Sequence, residues 1–203
     1  MYIDSSIRTY LDDLAAKKPA PGGGSAADLA ASIGTSLMSM VANYTVGRPK
    51  YKDVEAEVSG MIEDIRRFDS ELRALVDEDV EAYGRLSAAL KKAGGSGPVS
   101  DEIFKEAIKP PIRVCEISAR CLKLCGRLAE CGNSNLVTDT AIAAILLEGA
   151  FFSAKYNVYI NLASIKDNAY IAKIHDVLSP LEEEMPRLKE EILEKCEEVI
   201  RGS

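Results

Sequence analysis

Residues 19–45 read PAPGGGSAADLAASIGTSLMSMVANYT, and the rest of the chain is organised around them. The first six do not read as ordinary helix or strand. Two prolines fix φ and lack amide donors, while three glycines admit backbone angles that other residues avoid. Ser25 follows where a helix N-cap belongs, its hydroxyl able to accept from an amide two or three residues on. A run of Ala, Leu, Ile, Met and Val comes next, diluted only by Asp28 and by small Ser, Thr and Gly. A helix that is apolar on nearly every side belongs in the middle of a bundle. The run is long enough to raise the question of a membrane span, but Asp28 and the repeated small polar residues argue against one. Amides at a glycine-rich helix N-terminus, with the helix dipole behind them, suit an anionic or carbonyl group of a ligand. A tight turn feeding a buried helix accounts for the same residues without any ligand.

The remaining sequence continues the helical pattern. Ile3, Ile7, Tyr10, Leu11 and Leu14 recur at helical spacing and predict a first helix over 3–16, stopped by Pro19. The central helix runs from about 25 to 46 and is broken by Gly47-Arg48-Pro49. A long charged helix over 53–93, capped by Asp53, carries Val54, Val58, Met61, Ile62, Ile65, Phe68, Leu72, Leu75, Val76 and Val80 at spacings of three and four. Gly94-Gly95-Ser96-Gly97-Pro98 reads as a flexible turn. Ser100-Asp101-Glu102 starts the next helix, and Pro110-Pro111 predicts a break or sharp kink before an amphipathic segment at 112–128. After a loop at 132–135, a second strongly apolar helix spans about 139–165. Pro180 divides the tail into 167–178 and 181–201. No strand alternation or internal repeat is visible. The fold class is all-α: one domain over 1–203, a bundle of long antiparallel helices.

Composition narrows the function. A net charge of −7 and a pI near 4.9 speak against nonspecific binding of nucleic acid or anionic membrane. No basic segment followed by an apolar one opens the sequence, so the expected compartment is the cytoplasm. The five cysteines (115, 121, 125, 131 and 196) are odd in number and mostly crowd one helical region, unlike a secreted disulfide framework. Cys121 and Cys125 have a zinc-like spacing but no second pair, so no metal is expected and the thiols read as small core residues. The one histidine, His175, offers no catalytic triad and reads as a surface or boundary residue. No lysine follows Gly24 as a phosphate-cradling loop requires, and the dinucleotide-like glycine spacing follows prolines rather than a strand.

Polar residues within or at the ends of apolar helices remain as site candidates. Asn43 and Tyr44 close the central helix, while Asn133, Asn135, Thr138 and Asp139 bracket the start of the second. Asn157 and Asn161 lie four apart, on one face of that helix. Capping and hydrogen bonding inside the bundle explain such residues as well as a site does, most obviously for Asp139 in a first turn. Arg48 and Lys50, beside Tyr51, form a basic stretch in an acidic chain, either a grip for a carboxylate or phosphate or a solvated loop. Asp79 stands beside Val80, at the edge of the apolar face of the long helix.

At these residues the sequence resembles the cyclodeaminase/cyclohydrolase family. The likeness rests on PAPGGGSAA at 19–27, MVANYT at 40–45, Lys50-Tyr51, GNSNLVTDTAIAA at 132–144 and NVYIN at 157–161. It implies a homodimeric helical enzyme acting on one-carbon tetrahydrofolate, with no metal and no cofactor beyond that substrate. Members add water to 5,10-methenyltetrahydrofolate or release ammonia from 5-formiminotetrahydrofolate; the short, free-standing chain favours the cyclohydrolase. On this reading Asp139 is the first choice of catalytic carboxylate and Asp79 the second. Gly22, Gly23 and Gly24 let the backbone approach the flat ring, Asn43, Asn133 and Asn161 serve its polar edge, and Lys50 with Arg48 answers the glutamyl tail. Ser25, Tyr51, Asn135 and Thr138 complete the expected substrate-binding set. A non-catalytic folate-binding helical dimer is the alternative of another class, motivated by the short, glycine-rich segment at 91–98.

Overall fold

The computed structural model describes residues 1–94 and 99–202. Among them are six α-helices and no strand: α1 (Ile7–Ala15), α2 (Gly23–Asn43), α3 (Glu55–Lys92), α4 (Asp101–Cys131), α5 (Val137–Leu162) and α6 (Asn168–Gly202). Short 3-10 helices, Pro49–Val54 and Ser134–Leu136, lead into α3 and α5. The all-helical expectation holds. Most of the turn expected at 94–98 lies outside the described residues.

The two apolar helices sit side by side. α2 packs on α3, α4 and α5, and α5 packs on α2, α4 and α6. Gly34 lets α2 and α5 approach closely, since a Cβ there would come 3.1 Å from Leu147 Cγ and 3.4 Å from the Ala143 carbonyl. The chain direction reverses between them. The end of α2 meets the start of α5 where the Asn133 amide donates to Thr45 Oγ1 at 2.9 Å. Ala31, Met38, Val41, Ala143, Leu147, Phe151 and Val158 are fully buried around this pair. By length and composition alone α5 could cross a membrane, yet here it is a bundle wall. α3 is a rod of 38 residues, pinned to α4 by Arg113 on Glu71 and by Arg127 on Glu57.

Several sequence expectations are corrected. α4 does not break at Pro110-Pro111 but continues from Asp101 to Cys131 with both prolines buried. Proline's fixed φ is itself helical, and Ile108, Val114 and Cys115 anchor the turns on either side in the core. Nor is the tail divided, since α6 runs through Pro180 and Pro186, held by buried Ile174, Leu178, Met185, Ile192 and Cys196. The first helix buries only Tyr10, leaving Ile7, Leu11 and Leu14 exposed. Asp53 lies in the 3-10 helix, and Val54 occupies the cap position of α3. Cys115, Cys121, Cys125 and Cys196 are free and buried, as core residues. His175 is exposed.

Candidate active site

The turn before α2 brings its glycines to the end of the bundle that α3 and α5 also reach. Ser25 is not the N-cap of α2. The helix begins at Gly23, and the cap is Gly22 in an extended conformation, with no side chain to accept from the free amides. Asp79 of α3 supplies the acceptor from outside. A Cβ added at Gly24 would lie 2.5 Å from Asp79 Cγ and Oδ2, and nearer still to Oδ1. Only glycine therefore lets this carboxylate rest against the first turn of α2. There the Ser25 amide donates to it, and the positive end of the helix dipole favours its charge. Burial pushes the Asp79 carboxyl up and the Ser25 amide pulls it back, leaving it above the ordinary aspartate value.

Around Asp79 opens a cleft of about 250 Å³, walled by Pro19, Gly22, Gly23, Tyr83, Asn157 and Asn161. The two asparagines share the face that their spacing predicts. Each donates its side-chain amide to the carbonyl one turn back, Asn157 to Ser153 at 3.0 Å and Asn161 to Asn157 at 2.8 Å. One N–H of each amide is thus engaged within α5, while the second N–H and the side-chain oxygen remain for a ligand.

A polar layer lies beneath the glycines. The Tyr10 hydroxyl and Ser25 Oγ are 3.2 Å apart and both residues are buried. Asp28, one helical turn beyond Gly24, is 1% exposed, and its Oδ2 has no hydrogen-bond partner. Burial, and then the negative charges of Asp79 and Glu78, push its carboxyl up to about 8.

The other candidates gather at the opposite end of α2. The Lys50 ammonium donates to Ser134 Oγ at 3.1 Å, and the Tyr51 hydroxyl accepts from the Ser134 amide at 3.0 Å. Asn133 is a buried staple, its side-chain amide donating to the Tyr44 carbonyl at 2.9 Å and its oxygen accepting from the Asn135 amide at 3.1 Å. Asn43, Arg48, Asn135 and Thr138 are exposed, and Asp139 is half-buried in the first turn of α5. With a rise of about 1.5 Å per residue, α2 separates Gly24 from this group by roughly 30 Å. One chain therefore brings together Gly22, Gly23, Gly24, Ser25, Asp79 and Asn161. It does not bring Asn43, Arg48, Lys50, Tyr51, Asn133, Asn135, Thr138 or Asp139 to them.

Sequence reasoning missed Tyr10, Tyr83 and Asp28 as parts of this end. A signal for Asp28 was present, as an acid four residues after a glycine in an otherwise apolar helix. Among the described residues no group of three His, Cys, Asp or Glu side chains is placed to hold a metal ion.

An all-helical bundle with a carboxylate held on a glycine-opened helix terminus defines the class, and sequence comparison supplies the family. A profile described as formiminotransferase-cyclodeaminase matches residues 6–179. The chain belongs to this family. It is 32% identical over 199 residues to a methenyltetrahydrofolate cyclohydrolase of Methylorubrum extorquens, covering 94% of this chain and 95% of that one. To the formimidoyltransferase-cyclodeaminase of Mus musculus it is 30% identical over 189 residues, 90% of this chain but 35% of the longer mouse protein. The crystal structure of a formiminotetrahydrofolate cyclodeaminase from Thermotoga maritima superposes with a TM-score of 0.91 at 29% identity, covering 98% of this chain and 100% of that one.

Proposed function

We propose that this protein is a folate one-carbon enzyme that hydrates 5,10-methenyltetrahydrofolate to 10-formyltetrahydrofolate. The observation that carries the reading is the Asp79 carboxylate, fixed on the first turn of α2 at the wall of a cleft. The substrate's one-carbon unit is a cation spread over two nitrogens. A water attacking that carbon must lose a proton, and a carboxylate with a raised proton affinity is suited to take it. Asp79 then returns the proton to the ring nitrogen as the carbon–nitrogen bond breaks, and the hydroxyl of the adduct gives up its own proton to solvent as it becomes the formyl carbonyl. At about 250 Å³ the cleft is a little smaller than the roughly 300–1,000 Å³ usual for ligand pockets, so it takes the ring system and leaves the glutamyl tail outside. The asparagine oxygens accept from the amino and amide edge of the pterin. This chemistry uses no cofactor beyond the folate.

A homodimer belongs to the same reading. Neighbouring α2 and α5 expose apolar side chains, with Ile33 at 47%, Ile145 at 50% and Tyr156 and Ile160 at 70%. A two-fold axis across that face would set the Lys50 end of one protomer beside the glycine cleft of its partner. Arg48 and Lys50 would then join the site from the second subunit, facing the glutamyl tail.

The likeness to the Thermotoga maritima structure over its full length favours a second reading, cyclodeamination of 5-formiminotetrahydrofolate. One experiment separates the two. Purified protein mixed with 5,10-methenyltetrahydrofolate is expected to speed the loss of its near-ultraviolet band over a blank. Appearance of that band with ammonia from 5-formiminotetrahydrofolate, and no hydration, would select the second. Asp79→Asn is expected to lower kcat by about 10²–10⁴-fold. Tight folate binding without either conversion would reject both in favour of a binding protein.

A further inference from the structure

Asp28 takes no part in the reaction just described, yet it is the most deeply buried acid near it. It lies at the fourth residue after Gly24 on α2, the spacing that stacks two residues on one helix face. Gly24 is where Asp79 rests. The two carboxyls therefore belong to one side of one helix terminus, Asp28 behind and Asp79 in front at the cleft wall. Asp28 is 1% exposed and its Oδ2 meets no donor. An ionised carboxylate left unpaired in such surroundings is strongly disfavoured, whereas a protonated one is tolerated. The charges that act on Asp28 come from Asp79 and Glu78 of α3. From α1, the Tyr10 ring lies within electrostatic reach of both Asp28 and Asp79. No cation of α4 or α5 offsets them.

We propose that Asp28 is a positioning residue for Asp79, retaining the one proton that the two carboxyls keep between them at neutral pH. The cleft then presents a single negative charge to a bound cation. The proposal rests on the cleft being the site of methenyl hydration. There one charge serves better than two. The substrate is cationic before attack and loses that charge as water adds. One carboxylate is enough to draw in the cation and take the water proton. A second would stabilise the bound cation relative to the adduct and slow attack. It would also strengthen the hold of Asp79 on its proton, hindering transfer to the departing nitrogen. The proton balance of the reaction is unchanged, because Asp28 keeps its proton throughout.

The test reads the carboxyls first and turnover second. Carboxyl-carbon NMR of full-length protein labelled with carbon-13 aspartate is followed from pH 4 to pH 9.5, in wild type, Asp28→Asn and Asp28→Ala. One wild-type resonance is expected to titrate near pH 8 and to be absent from both variants. The Asp79 resonance, assigned by its loss in Asp79→Asn, is expected to show a second inflection at the same pH, also gone in both variants. An Asp28 resonance that titrates near pH 4, or an Asp79 curve with no second inflection, would overturn the proposal. None of this depends on folate, so it stands apart from the functional reading. In the hydration assay, wild-type kcat is expected to fall about tenfold per pH unit above that inflection, while Asp28→Asn stays flat with unchanged KM. An alkaline limb that persists in Asp28→Asn would also overturn it. If neither variant folds, the wild-type titration alone decides.

Discussion

Gly24→Ala is the most direct perturbation of the site. The added methyl would fall 2.5 Å from Asp79 Cγ and Oδ2, roughly 1 Å inside ordinary contact between carbon atoms. The carboxylate must retreat from the first turn of α2. It then loses the Ser25 amide, a hydrogen bond to a charged group worth about 1.5–3 kcal/mol. It also loses its favourable place at the helix dipole, about 0.3–1 kcal/mol. Against this, alanine gains up to about 1 kcal/mol over glycine in a helix. The balance is a net loss of about 1–3 kcal/mol, a fall in Tm of roughly 3–10 °C for a domain of this size. Displacing by about 1 Å the carboxylate proposed to transfer the proton is expected to lower kcat/KM at least a hundredfold. Gly60→Ala is the control, since its added Cβ meets nothing within 4 Å on the exposed side of α3. That change is expected to raise Tm slightly and leave activity unchanged. Thermal melts and the methenyl-band assay on the two variants decide. Wild-type kcat/KM in Gly24→Ala, with a Tm equal to that of Gly60→Ala, would refute the placement of Asp79.

Stability should carry the mark of Asp28. Its carboxyl is raised in the folded state, to about 8, from an ordinary value near 3.8. Its contribution is therefore whole below pH 4 and is lost as pH rises toward 8, at about 1.4 kcal/mol per pH unit. Between pH 5 and 7 Asp28→Asn is expected to gain about 3 kcal/mol relative to wild type, read as a difference in the pH slope of denaturant unfolding; parallel slopes would contradict the burial assigned to Asp28. Lys50→Ala is expected to raise KM more for polyglutamylated than for monoglutamylated substrate, and equal rises would remove the tail contact. Ile145→Glu on the exposed face of α5 is expected to sediment as a monomer with unchanged far-ultraviolet circular dichroism and reduced kcat/KM; a fully active dimer would exclude that face as the interface.

The fold was legible because its signals are local. The spacing of Val58, Met61, Ile62 and Ile65 predicts the rod of α3, and the unbroken apolar runs after Ser25 and Asp139 predict the central pair. Helix continuity was not, because Pro110-Pro111 and Pro180 announce the donors they lack but not the neighbours that hold the turns around them. The same limit applies to the site. The spacing of Asn157 and Asn161 correctly puts them on one face, and the glycines mark a place where a backbone is approached. What approaches Gly24 is Asp79, far along the chain, and no local pattern records that meeting. Without it Ser25 passed for a cap and Asp28 for a mere dilution of an apolar run. Nor does any local pattern show that α2 sets Asp139 and Asp79 toward opposite ends of one chain.

The unbroken passage of α4 through its proline pair bears on ligand recognition. Pro110 and Pro111 bring no amide hydrogen, so the carbonyls of Glu106 and Ala107, four residues back, have no helical donor. Ala107 borders the cleft. A helix ordinarily spends its main-chain oxygens on its own amides; this one borders the proposed pterin pocket with an oxygen that has no helical donor, in a turn stiffened by two prolines.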